Sequence, residues 1–201
     1  MTCGRTAAGL LALCATLAGC RAEQRNAEQG SSSASATSQR FALGRPATPT
    51  EIAALDIDAS PSGAGLPSGR GDAGRGEKIY LEKCAICHGA HGEGAAPNPP
   101  LIGRDPRDGF PFSSDFRIRK TIGNYWPYTT TLFDYTRRAM PLANPGTLSN
   151  DEVYSVTAYL LAANEVIPAG SALDSASLVA VKMPAHDRFV RDDRKGGAEV
   201  R

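Results

Sequence analysis

The chain has 201 residues, with 22 Lys and Arg against 21 Asp and Glu for a net charge of +1. Charges of both signs are interleaved, so no basic face emerges and no nucleic-acid partner is expected. Gly 21 and Pro 14 are too many for one packed unit throughout, and aromatic residues make up only 6%. A domain of about a hundred residues would then have a thin core unless a large apolar cofactor filled it.

Residues 1–20 carry one cation, Arg5, followed by an apolar run from Ala7 to Ala18. That order is the pattern of a secretory signal and is too short to span a bilayer comfortably. The run ends Leu17-Ala18-Gly19-Cys20, which resembles the bacterial lipoprotein box, where cleavage precedes a cysteine that is then lipidated. Residues 1–19 are read as a lipoprotein-type signal peptide and Cys20 as the lipidation site, which places the mature chain on the periplasmic side of a bacterial membrane. The competing reading is an ordinary signal peptide with an incidental Cys20. Once the signal is removed and Cys20 blocked, Cys84 and Cys87 are the thiols left for chemistry.

Residues 20–71 are rich in Ser, Ala, Gly and Pro with few large apolar side chains, and are read as a flexible linker. Within it, Thr50-Glu51-Ile52-Ala53-Ala54-Leu55 spells one short helical turn. Periodicity begins in the stretch 72–167. Tyr80, Cys84 and Cys87 fall at i, i+4 and i+7, so a helix from about Gly74 presents them on one face. Phe116, Ile118 and Ile122 suggest a second helix over 114–122, with Gly123 as its stop. A third runs from about Thr130 to Arg138 and is halted by Pro141. Ser149 and Glu152 form a capping box, with Leu148 and Val153 placed for a hydrophobic staple, and open a last helix reaching about Asn164. No alternating strand pattern competes. Residues 168–201 are read as a C-terminal extension.

The chemistry is carried by Cys84-Ala85-Ile86-Cys87-His88. Two thiols three residues apart on a helix can add to the two vinyl groups of one haem edge, and the adjacent imidazole then lies under the iron. This is the C-x-x-C-H attachment signature. A disulfide, a redox dithiol and half a zinc site compete. Zinc needs a second ligand pair, for which the mature chain offers only His91 and His186. One covalently bound haem c is the expected cofactor.

With these residues in place, the stretch 72–167 resembles the class I c-type cytochromes. Gly76 and Tyr80 match the small-plus-aromatic pair that the family uses to cross its first helix against its last, where Tyr159 and Leu160 would meet them. Pro99-Pro100-Leu101-Ile102-Gly103 resembles the family's proline loop. The resemblance implies that the Pro99 carbonyl, or failing it that of Pro100, accepts the imidazole's other N–H, which orients the ring and strengthens the ligand. It implies an axial Met opposite His88, which would close the iron to substrates and raise its potential. Met140, just before the capped helix, stands where the family's axial Met stands, and Met183 is the alternative. The metal ligands expected are therefore His88 and Met140.

Tyr125 and Trp126 lie in an aromatic cluster, Asn124-Tyr125-Trp126-Pro127-Tyr128. Two roles stay open for them, donation to a haem propionate and plain core packing. Arg137 and Arg138 pair with propionates, meet a docking partner, or form a solvated face. His91 and His186 read as surface residues.

A narrower similarity covers Ile122 to Pro141 and Asp151 to Leu160. Both stretches are similar to the cytochromes partnering molybdenum sulfite and sulfur dehydrogenases of sulfur-oxidising bacteria. Val181-Lys182-Met183-Pro184 with Asp187-Arg188-Phe189-Val190 is similar to the extension of those subunits. The resulting expectation is a mainly α protein with a class I cytochrome c fold, a disordered N-terminal tether and an irregular C-terminal extension. It implies a carrier of single electrons from a molybdenum-cofactor dehydrogenase subunit to a downstream cytochrome or terminal oxidase, held at the membrane by a lipid anchor. A general respiratory shuttle is the alternative within the class. A haem enzyme or gas sensor with an open iron site is the rival outside it.

Overall fold

The structure is a computed structural model that describes residues 44–111 and 114–190. The signal segment, Cys20 and the first part of the linker lie outside the described residues. Among the described residues, seven α-helices, one short antiparallel pair of strands far apart in the chain and one 3-10 turn make up the fold.

Helix α1, Pro49–Leu55, is closed by a Thr48/Glu51 capping box and starts with Pro49 in its first turn, yet it buries none of its residues. Helix α2, Ala73–Lys83, is capped by the Asp72 carboxylate and buries Ala73, Gly76, Ile79 and Tyr80. The one-turn helix α3, Ala85–His88, follows after a break at Cys84, whose φ of −119° and ψ of −36° depart from helical values. The first thiol therefore sits at the break itself and the second inside α3, rather than both on one continuous helix.

No helix forms over 114–121. The Asp115 carboxylate accepts from the Arg117 backbone N–H at 3.0 Å and ties the chain into a local turn, which competes with helix formation. Helix α4 is instead Ile122–Tyr125, started by a capping box of Thr121 and Asn124. Ile122 is thus the first residue of a helix where the apolar spacing suggested the end of one.

Helix α5 spans Thr129–Ala139 and helix α6 spans Asn150–Ala163. The Ser149 cap and Glu152 return bond are both formed, and Leu148 and Val153 are buried beside them. Helices α2 and α6 cross closely because Gly76 has no side chain. A Cβ there would stand 1.9 Å from the Ser155 carbonyl oxygen and 2.8 Å from Tyr159 Cβ. One turn further on, the Tyr80 and Tyr159 rings meet with centroids 5.1 Å apart. At the other end of α2, Lys83 Nζ and Glu152 Oε1 pair at 2.9 Å.

Part of the stretch read as linker is docked. The Ala59 amide donates to Asp134 Oδ1 at 2.9 Å, and Arg137 donates to the Ile57 carbonyl at 3.0 Å. Tyr154 Oη donates to the Pro67 carbonyl at 2.8 Å, and the Arg70 amide to Asp151 Oδ1 at 2.8 Å. Strand β1, Arg70–Asp72, then pairs antiparallel with β2, Ala172–Asp174. The docking rests largely on main-chain groups of this stretch, with Leu66 packed against the apolar cluster, and a composition poor in apolar side chains does not reveal it.

The C-terminal extension is partly regular as well, with β2 leading into helix α7, Ser175–Ala180. Leu178, Met183 and Ala185 from this region are buried, and Leu178 and Met183 join the main apolar cluster around Tyr80, Phe133 and Tyr154. Each such large apolar side chain contributes about 1.5–3 kcal/mol when fully buried.

Candidate haem site

The attachment residues are carried by the kink between α2 and α3. Cys84 is half-buried against the core and Cys87 is exposed, and both are free thiols. Burial pushes the Cys84 thiol up to about 11. Helix α3 stops at Gly89, and the Tyr80 phenol donates to the Gly89 carbonyl at 2.7 Å. Burial also raises the Tyr80 phenol above its ordinary value, so it stays a donor. The residue after His88 is thus fixed to the helix that carries the first thiol.

His88 Nδ1 lies 3.2 Å from the Pro99 carbonyl oxygen, the carbonyl that the proline-loop resemblance singles out. With Nδ1 turned to this acceptor, the ring offers Nε2 as its remaining nitrogen. The loop between them is folded tightly. The Gly94 amide donates to the His88 carbonyl at 2.8 Å, and the Gly92 carbonyl accepts from the amides of Leu101 at 2.8 Å and Ile102 at 3.1 Å. Gly94 has φ +80°, and a Cβ there would stand 2.7 Å from Pro100 N, so both conformation and space call for glycine.

One residue with a part in this loop carries little sign of it in the sequence. Asn164, 1% exposed, accepts from the Gly103 amide at 2.9 Å and donates to the carbonyls of Leu101 at 3.2 Å and Leu160 at 2.8 Å. Its only local signal is a polar residue directly after the apolar run of the last helix. On the other side, the Thr121 hydroxyl donates to the Gly103 carbonyl, and Asn124 donates to the carbonyls of Asp105 at 2.7 Å and Arg119 at 3.0 Å.

Met140 and Met183 part company. Met140 is half-buried and caps α5, its amide donating to the Thr136 carbonyl at 3.2 Å. Met183 is 1% exposed and packed in the core cluster, where its thioether serves as filling. Tyr125 packs between Phe110 and Phe189, with centroids 5.8 and 5.6 Å away, and the Lys120 ammonium lies 4.5 Å from its ring centre. Trp126 is half-buried and meets Tyr135 edge-on at 6.0 Å.

The two arginines are tied into the fold. Arg137 holds the Ile57 carbonyl, and Arg138 pairs with the buried Asp134 one turn back. Arg138 is nevertheless exposed, in keeping with a solvated face, while Arg137 is half-buried. His91 is exposed, while His186 pairs with Asp187 at 2.7 Å and meets Tyr128 edge-on at 5.3 Å.

Two cavities of about 420 and 530 Å³ flank the proline loop and share Pro100, Ile118 and Arg119 in their walls. Neither wall includes Cys84, Cys87 or His88. The residues that fit a haem are the donor set itself: two free thiols three positions apart and an imidazole whose second nitrogen is already held by a carbonyl.

Comparison with known proteins agrees with this geometry. The cytochrome c family model matches residues 73–164. The chain superimposes on one from the crystal structure of the sulfane dehydrogenase SoxCD from Paracoccus pantotrophus with a TM-score of 0.66. The two are 40% identical, over 77% of this chain and 73% of that one. The thiosulfate dehydrogenase of Stutzerimonas stutzeri (strain A1501) is 30% identical over 99 residues, which are 47% of this chain and 28% of that protein. A chain of the thiosulfate dehydrogenase TsdBA from Marichromatium purpuratum is 31% identical over 45% of this chain and 18% of its own, with a TM-score of 0.34.

The chain belongs to the cytochrome c family: it is a mainly helical electron carrier with covalently bound haem c. Within that family it is related to the cytochromes of sulfur-compound dehydrogenases, although it spans only 28% of the thiosulfate dehydrogenase that it matches.

Proposed function

We propose that this chain is the electron-accepting cytochrome of a molybdenum-dependent sulfite or sulfur dehydrogenase. The observation that carries the reading is the 40% identity to a SoxCD chain over most of both lengths. When bound, the haem supplies a one-electron iron couple. Cys84 and Cys87 would hold it by two thioethers, and His88 Nε2 and Met140 Sδ would be the iron's protein ligands. The Pro99 carbonyl keeps the imidazole oriented and electron-rich. Tyr125 and Trp126 would cover the haem edge, and their aromatic neighbours hold them in place.

In this role the dehydrogenase withdraws an even number of electrons from its sulfur substrate, two where that substrate is sulfite, and passes them on singly. Each electron enters this chain and leaves to a downstream cytochrome or terminal oxidase, and the chain makes and breaks no bond of the substrate. Lipidation at Cys20 would hold the domain at the periplasmic face of a membrane, on a linker long enough to reach both donor and acceptor. Solubilising the native membranes, purifying the cytochrome with its companions and assaying the eluate for molybdenum tests the reading. Stoichiometric molybdenum is the result expected. A cytochrome that elutes free of molybdenum, whatever the detergent, favours the general respiratory shuttle.

A further inference from the structure

We infer that Asn164 is a positioning residue for the hydrogen bond between His88 and Pro99, acting through the segment 101–103. The inference rests on the reading of His88 as an iron ligand. Pro97, Pro99 and Pro100 have no N–H, so this part of the loop can be pinned by few donors of its own. The pins come directly after it. Leu101 and Ile102 donate to the Gly92 carbonyl, at 2.8 and 3.1 Å. The buried Asn164 side chain takes the Gly103 amide at 2.9 Å and gives to the Leu101 carbonyl at 3.2 Å.

The Asn164 side chain thereby ties the loop to the last turn of α6, where its third bond goes to the Leu160 carbonyl at 2.8 Å. Pro99 and Pro100 each have φ locked by a ring, which makes a stiff link from the pinned segment to the Pro99 carbonyl. A clamp at 101–103 therefore sets where that carbonyl stands relative to His88 Nδ1.

Loosening the clamp should lengthen the bond from the imidazole N–H. The ring then loses electron density, becomes a poorer donor to ferric iron, and the midpoint potential moves upward. A residue that merely closes α6 would cost stability and leave the potential alone. The test uses the full-length holoprotein in three forms, wild type, Asn164→Ser and Leu178→Ala. The last removes a buried side chain that the loop does not use.

The readouts are midpoint potential and, by proton NMR of the reduced protein, exchange of the His88 ring N–H. Asn164→Ser is expected to raise the potential and speed that exchange, and Leu178→Ala to lower stability with neither change. Thr121→Val, which removes the hydroxyl bound to the Gly103 carbonyl, should give a smaller shift in the same direction and serves if Asn164→Ser does not fold. If both loop variants keep the wild-type potential and exchange, the inference is overturned. A wild-type protein without any imidazole-ligation signature instead overturns the reading of His88 on which it stands.

Discussion

The Pro99 carbonyl oxygen lies 3.2 Å from His88 Nδ1, eleven positions apart in the chain. Between them the chain turns through Gly89, Gly92 and Gly94, all with positive φ, and closes on three main-chain hydrogen bonds. An imidazole next to two thiols is common to many sites. One whose second nitrogen is held by a carbonyl is oriented for a metal, which sets the site apart from a plain dithiol, while zinc lacks a further ligand pair because no cluster of three or more His, Cys, Asp or Glu side chains occurs among the described residues.

Replacing Cys84 and Cys87 by Ser should abolish covalent attachment, since each thiol forms one thioether. Haem extracted from the double variant by acid and acetone is the expected outcome. Haem that stays with the protein through the extraction would contradict the attachment proposal.

The two methionines should behave differently. Met140→Ala is expected to lose the red thioether-to-iron absorption and to lower the reduction potential, because a weaker ligand takes the thioether's place. Met183→Ala should keep the band while costing about 2–5 kcal/mol of stability, as removal of a buried Met side chain does. An absorption spectrum with a denaturant titration on each variant separates the two, and a lost band in Met183→Ala would reverse the assignment.

The α2–α6 crossing should tolerate no side chain at Gly76. In Gly76→Ala the new carbon would stand 1.9 Å from a main-chain oxygen of Ser155, so the helices must separate. The expected loss is about 1–3 kcal/mol, read as a lower Tm. A variant as stable as the parent would mean that the helices cross elsewhere.

Acid stability should depend on Glu152. Its bonds from Lys83 and from the Ser149 amide hold the carboxyl down at about 2. A folded-state value below the unfolded one stabilises the protein above the ordinary carboxylate range, and that stabilisation is lost as pH falls from about 4.5 towards 2. Glu152→Gln should therefore be less stable at neutral pH, by about 1 kcal/mol after solvent screening. Its stability should also change less across that acid window. Parallel curves for the two proteins would show that the Lys83 pair contributes nothing.

Docking of the upstream stretch should depend on Asp134. Asp134→Asn removes the charge that Arg138 pairs with and weakens the acceptor of the Ala59 amide. Faster amide exchange at Ala59 with about 1–3 kcal/mol of lost stability is expected. Unchanged exchange at Ala59 would show that this stretch is held by other contacts.

What was legible in the sequence was local chemistry. The spacing of Cys84, Cys87 and His88 and the Ser149/Glu152 cap are each written within five residues; the cap forms as read, whereas the helix expected to carry both thiols breaks at Cys84. Phe116 and Ile118 suggest a helix that does not form, because apolar spacing says nothing of the competing Asp115 turn or the Thr121 cap. The docking of 57–70 and the bonds of Asn164 join residues sixty or more positions apart through main-chain groups. No side-chain pattern encodes such bonds. The sequence leaves Met183 as an alternative ligand because its burial depends on how the extension folds back.

The most direct test is rapid-mixing spectrophotometry of the oxidised holocytochrome at its haem bands. It is mixed with sulfite, thiosulfate or a protein-bound sulfane, each with and without the molybdenum protein co-purified from the same membranes. The account predicts no reduction by the sulfur compound alone, and reduction by at least one of them when the molybdenum protein is present, with two equivalents of cytochrome reduced per sulfite oxidised where sulfite is the substrate. Indifference to every sulfur compound in the presence of that protein, with ordinary reduction by other respiratory donors, would contradict it.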